Sequence, residues 1–327
     1  MPRMLSRWEK VDALLGWLSI AGVGLVYAAI SGPFRGRSGA DTYRHHMIQV
    51  AVKKVLHRAI NPKYKQLTLL AYWKVQSTPA ANRIKPHFVS TNRGVKGFRL
   101  GDPLAKYIVI NFHGGGFAMD ATEPYLYFWP NIQTTLANAA PFCEAVETLR
   151  YVLEDLKRSP RDVLITGDSA GANLCLAILS HLRHCSVDVP ELVIHEPIKG
   201  AILISPWVSF SHEWPSVKKN QHKYIDTQEV TTQWSQLYLN GQLSNNYIEA
   251  VNAPEEWWNE IQVEQTLVLA GADEVLFDPI KAWTSNFKKS NPDTTLVVGE
   301  RECHVAPLIW PMFGDFHETE LEHALKH

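Results

Sequence analysis

Two hydrophobic periods divide this chain. Between residues 40 and 75 the apolar positions Ile48, Val52, Val55 and Leu56 recur at helical intervals and fall on one face. From residue 106 the grammar changes to short β-branched runs separated by longer amphipathic stretches. Tyr107–Phe112, Val163–Thr166, Ala201–Ser205, Thr266–Leu269 and Thr294–Val298 read as buried strands. Tyr125–Ala137, Glu144–Leu156, Ala170–Arg183 and Pro279–Lys289 read as the helices between them. Such alternation predicts an α/β fold, a mostly parallel sheet with helices on both faces. Upstream, His87–Thr91 and Gly97–Leu100 read as a hairpin. The long segment His212–Gln265, with Trp214, Trp234, Trp257 and Trp258, reads as a helical cap over the carboxyl edge of the sheet.

The amino-terminal pattern is different again. From Ala13 to Phe34 no charged residue occurs. As one helix this run would be about 33 Å long, against a bilayer core of about 30 Å. Trp17 and Tyr27 lie towards its ends, as interfacial aromatics do. The run reads as a single membrane anchor. A buried or membrane-surface cap helix and a cleaved signal peptide are its alternatives. Basic residues flank both ends equally, so orientation is not fixed. The absence of any Asn-x-Ser/Thr sequon leans towards a cytosolic catalytic face. The chain therefore divides into a hydrophobic helix (1–34), cap helices with the hairpin (35–105) and a core (106–327).

Composition narrows the function by exclusion. In 327 residues, 32 basic side chains meet 33 acidic ones, so nothing favours nucleic acid. Lys218, Lys219 and Lys223 form a small basic patch that reads as a solvated face. The four cysteines, at 143, 175, 185 and 303, have no paired spacing and read as free thiols. No histidine pair has metal-ligand spacing, and no metal or cofactor is implied.

Two glycine motifs carry chemistry. Strand Tyr107–Phe112 runs into His113-Gly114-Gly115-Gly116-Phe117, where glycine, costly in regular structure, marks backbone needed for itself. Strand Val163–Thr166 runs into Gly167-Asp168-Ser169-Ala170-Gly171, a G-x-S-x-G between a buried strand and an amphipathic helix. That context sets Ser169 at the tip of a sharp turn and points the amino end of the helix at a reacting carbonyl. The amides of Gly115, Gly116 and Ala170 are then the candidate oxyanion donors. A serine nucleophile also needs a base and an orienting acid. His304 is the one histidine between the last strand and the carboxyl-terminal tail. Asp273, Glu274 and Asp278 all lie in the loop after Thr266–Leu269.

These motifs and loops, over about residues 80 to 325, resemble the hormone-sensitive-lipase-like branch of the alpha/beta hydrolases. The amino-terminal run, Ala253–Trp258 and Asp273–Asp278 resemble more narrowly its fungal members, often esterases tied to secondary metabolism. The resemblance implies an alpha/beta-hydrolase core in 106–327. It also implies a serine carboxylesterase acting on small or medium acyl esters, with Ser169 as nucleophile and His304 as base. The branch's acid loop, D-P-L-x-D, laid on Glu274–Asp278, implies Glu274 as the acid, with Asp273 as alternate. Receptor-like and degenerate members of the same fold are the rival readings.

One part of the family pattern is not seen. Between the oxyanion strand and the nucleophile strand the branch has a further strand, ending in Y-x-L-A-P. Here Tyr125–Ala137 reads as helix and meets the next helix almost at once. The expectation is a sheet lacking a central strand, through real loss, a missing stretch of chain, or degeneration.

Overall fold

The β-branched runs do form the centre of the molecule. The computed structural model describes residues 8, 11, 15, 18, 22, 25–34, 36, 40, 42–59, 87–91, 96–119, 134–137, 142–223 and 227–327. Its strands are β1 (His87–Ser90), β2 (Lys96–Leu100), β3 (Ile108–Phe112), β4 (Thr134–Ala137), β5 (Val163–Asp168), β6 (Gly200–Ile204), β7 (Thr266–Gly271) and β8 (Thr294–Gly299). They form one sheet in the order β1-β2-β4-β3-β5-β6-β7-β8. From β4 to β8 all neighbours are parallel; β1 pairs antiparallel with β2, and β2 with β4. Every side chain of β3 is buried, as a strand covered on both faces requires.

The helices are α1 (Leu25–Ser31), α2 (Tyr43–Ala59), α3 (Phe142–Arg150), α4 (Ala170–Arg183), α5 (Pro215–Asn220), α6 (Gln228–Leu239), α7 (Phe277–Ser290), α8 (Ala306–Met312) and α9 (Glu320–Lys326). Helix α4 packs on β5, β3 and β6, with α3 beside it, and α7 and α9 pack on β7 and β8. Helix α3 ends in one π-turn, Tyr151–Asp155, so the stretch expected as one helix changes winding near its end. Helices α5 and α6 supply part of the expected cap; residues 224–226 between them lie outside the described residues.

The sheet does not lack a strand. Thr134–Ala137, expected at the end of a helix, is β4. It pairs parallel with β3, Val109 opposite Thr134, and antiparallel with β2, Gly97 opposite Ala137. The physical reason is geometric. Chain that descends after β3 must climb before α3 can descend again to feed β5. Four residues of strand span about 13 Å and make that climb. Without them β2 and β3 would face each other with unpaired buried ladders. The strand whose absence would mark a degenerate copy is in place between β2 and β3. Residues 125–133, the remainder of the expected helix, lie outside the described residues.

The amino-terminal expectation also fails. Among the described residues no helix is long and apolar enough to cross a membrane. Helix α1 has 7 residues and gives way to a 3-10 turn, Gly32–Phe34, with Pro33 inside it. Proline there removes an amide donor and stops the α-helix. The turn is held by α2 instead. Tyr43 Oη donates to the Ala29 carbonyl at 3.1 Å, Ser31 Oγ lies 3.0 Å from His46 Nε2, and a Cβ at Gly32 would strike the Tyr43 ring. A single span over 13–34, and with it the membrane-anchored localisation, is corrected; most of 13–24 lies outside the described residues.

Candidate active site

Registration of the parallel strands brings the motifs together. Phe112 stands opposite Gly167, and Gly271 opposite Gly299. The loops after β3, β5, β6, β7 and β8 therefore leave the same carboxyl edge, where ligands of open α/β sheets bind.

Ser169 sits between β5 and α4 at φ 53°, ψ −116°, a conformation that a non-glycine residue holds only when its surroundings enforce it. Those surroundings are visible. Its N–H donates to Ile204 O at 2.8 Å and its carbonyl accepts from Trp207 N–H at 3.1 Å. The turn is tight enough that a Cβ on Gly171 would lie 1.9 Å from Phe112 O, and one on Gly167 2.4 Å from the Gly171 backbone. Ala170 opens α4, so its amide has no intrahelical acceptor.

The glycine loop is built against this turn. Gly114 N–H donates to Asp168 Oδ1 at 2.9 Å, and a Cβ there would meet the other carboxylate oxygen. His113 is fully buried, with Nδ1 2.7 Å from Gly114 O. Gly115 and Gly116 take φ of 107° and 60°, which side chains resist. The Trp234 ring of α6 lies where a Gly116 Cβ would be, so cap and loop are in direct contact.

The three acids part company. Glu274 is fully buried, and its Oε2 lies 2.7 Å from His304 Nδ1. Its Oε1 accepts from Gly271 N–H at 2.7 Å and from Ser205 Oγ–H at 3.1 Å. Asp273 turns to Lys223 Nζ, 2.5 Å away, so Lys223 is not part of a merely solvated patch. Asp278 accepts from Ser216 N–H at 2.7 Å, at the start of α5. His304 itself is 3% exposed.

Single-sequence reading missed the residues that fix these loops. Asn220 Nδ2, on α5, donates to the carbonyls of Ala272 and Glu274 at 3.0 and 2.9 Å. Ser216 Oγ donates to Val275 O at 2.7 Å. Asn173 Nδ2, one turn into α4, donates to Trp207 O and Ile248 O at 2.8 and 2.6 Å. Ser205 contacts both Glu274 and Val305 N–H. Only Ser205 left a trace in the pattern, as a hydroxyl at the end of an apolar run.

Known proteins resemble this chain in sequence and fold. A model of the alpha/beta hydrolase fold matches residues 135–308, more than half of the chain. Human hormone-sensitive lipase is 30% identical over 107 residues, 27% of this chain and only 10% of that protein, so the match spans about a tenth of the relative's length. The acetyl-hydrolase of Streptomyces hygroscopicus is 25% identical over 218 residues, 60% of this chain and 67% of that protein. Among solved structures, an esterase/lipase from an uncultured bacterium superposes with a TM-score of 0.64 at 22% identity, covering 85% of this chain and 94% of that one, a likeness of fold. The chain belongs to the alpha/beta hydrolase fold family, and within it is similar to hormone-sensitive lipase.

Proposed function

We propose that the protein is a serine carboxylesterase with Ser169, His304 and Glu274 as its catalytic residues. The observation that carries this is the buried 2.7 Å contact between His304 Nδ1 and Glu274, on loops after β8 and β7, at the sheet edge where the strained Ser169 turn emerges. Ser169 Oγ attacks the ester carbonyl while His304 takes its proton. The oxyanion is held by the amides of Gly115, Gly116 and Ala170. His304 then protonates the departing alcohol, leaving Ser169 acylated. Water, deprotonated by His304, repeats the sequence and frees the acid. Glu274 keeps the Nδ1–H tautomer and supports the imidazolium. Besides the ester and that water, each step uses this chain's side chains and amides.

The acyl group is small or medium in this reading. Phe117, next to Gly116, stacks on Tyr238 of the cap with centroids 3.7 Å apart; Trp207 lies 5.8 Å from Phe117 and 4.7 Å from Phe210. Burial pushes the Tyr238 phenol up to about 12, so this wall stays uncharged at working pH. Trp207 is bonded to Ser169 and to Asn173 on α4, whereas His304 arrives from the β8 side. The leaving alcohol faces His304 and the acyl chain faces the aromatic wall. Rates on p-nitrophenyl esters of rising acyl length test this. The expected kcat/KM is highest for acetate to butyrate. Phe117→Ala is expected to favour octanoate over acetate by about 10-fold relative to wild type. An unchanged order in the variant would remove the wall from the account. The likeness of Ala253–Trp258 and Asp273–Asp278 to esterases of secondary metabolism supports an ester of that origin as substrate.

A further inference from the structure

We propose that Ser205 is a positioning residue that locks the acid loop to the histidine loop through one hydroxyl. The proposal rests on the reading of Ser169, Glu274 and His304 as the reacting groups, and goes beyond it.

Ser205 follows β6, between the nucleophile strand β5 and the acid strand β7. It is fully buried and holds φ 49°, in the left-handed region. Its N–H donates to Leu269 O at 2.7 Å, which fixes the backbone to β7. Its Oγ accepts the Val305 N–H at 3.1 Å, the amide immediately after His304. Val305 is itself at φ 47°, so the bond is made to a backbone that is also held in an unfavoured conformation. With that lone pair occupied, the hydroxyl proton is directed to Glu274 Oε1 at 3.1 Å. One oxygen atom therefore touches the carboxylate of the acid and the chain that carries the base.

A structural serine would need only one of these bonds to be satisfied. Here both partners belong to the catalytic loops, and together with Gly271 N–H the hydroxyl occupies Oε1 and leaves Oε2 to His304. Other ionisable groups at this edge are engaged elsewhere. Asp273 pairs with Lys223, Glu302 accepts amides at the start of α9, and burial pushes the Cys303 thiol up so that it stays neutral.

The backbone suggests the cleanest test. Glycine adopts φ near 50° without strain, so Ser205→Gly removes the hydroxyl and keeps the turn. The expected result is a kcat lower by about 10- to 100-fold, the factor for loss of a hydrogen bond to a charged group, with KM within about 3-fold. Ser205→Cys, with a weak donor of similar shape, is expected to fall between the two and serves if Ser205→Gly does not fold. Unchanged kcat in a folded variant, or a loss carried by KM instead of kcat, would overturn the proposal. If wild type turns over no ester, the reading of the site fails separately. In that case amide exchange of Val305 decides the positional claim: faster exchange in Ser205→Gly supports it, and unchanged exchange refutes it.

Discussion

Glutamate at 274 is one methylene longer than the aspartate of the family's loop, and the surrounding donors fit that length. Its two oxygens reach His304, Ser205 and Gly271 N–H together. Asp273, adjacent in sequence, points to a lysine instead. The two carboxylates should therefore respond differently to the same change. Glu274→Gln is expected to lower kcat by about 10³- to 10⁴-fold while the protein stays folded, since the amide presents the wrong tautomer partner to the imidazole. Asp273→Asn is expected to keep kcat within about 3-fold but to lower stability by about 1–3 kcal/mol, because Lys223, mostly buried, loses its counter-charge. Steady-state rates and denaturant melts of the two variants measure this directly. Equal rate losses in both would place the acid wrongly.

At the scale of elements, the seven strands expected from β-branched runs appear within two residues of their expected ends, and Ala170–Arg183 is a helix over its whole expected length. Gly167 and Gly171 were legible as close-packing positions, because little else explains glycines flanking a strand-to-helix turn. β4 was not legible. Thr134–Ala137 is short and follows a stretch with helical spacing, and only the empty place between β2 and β3 decides its conformation. Ser205, Asn220 and Asn173 were illegible as site residues for another reason: a single polar side chain has no period, and its role depends on which loop lies opposite. The assignment of β4 has a consequence in solution. Amides that bond into β2 and β3 from inside a sheet exchange with global unfolding, whereas the end of a surface helix frays. Exchange in 134–137 is expected to be as slow as in β3; fast exchange there would restore a sheet with one strand fewer.

The whole molecule is closed at its carboxyl end by α9, which docks through Glu302. Glu302 Oε1 accepts the amides of Glu320 and Leu321 at 2.6 and 3.3 Å, and Leu321 is fully buried beneath. Desolvation is the largest influence on this carboxyl and raises it above the ordinary value, more than the amides lower it. A carboxyl raised on folding binds its proton more tightly in the native state. Its ionisation therefore costs stability as pH rises through the ordinary value towards the raised one. Glu302→Gln keeps an acceptor for both amides and removes that cost. Its melting temperature is expected to match or exceed wild type at pH 7 to 8, with the advantage vanishing towards pH 4. A lower melting temperature at pH 8 would show that the charge itself holds α9.

The central claim is that loops from five strands assemble one nucleophilic serine. Labelling of the full chain with a fluorophosphonate, read by intact mass, tests it without knowledge of the natural ester. The account predicts one adduct per chain, mapped to Ser169, absent in Ser169→Ala and greatly slowed in His304→Ala. Folded wild-type protein that takes up no phosphonate, or an adduct that persists in Ser169→Ala, would contradict it.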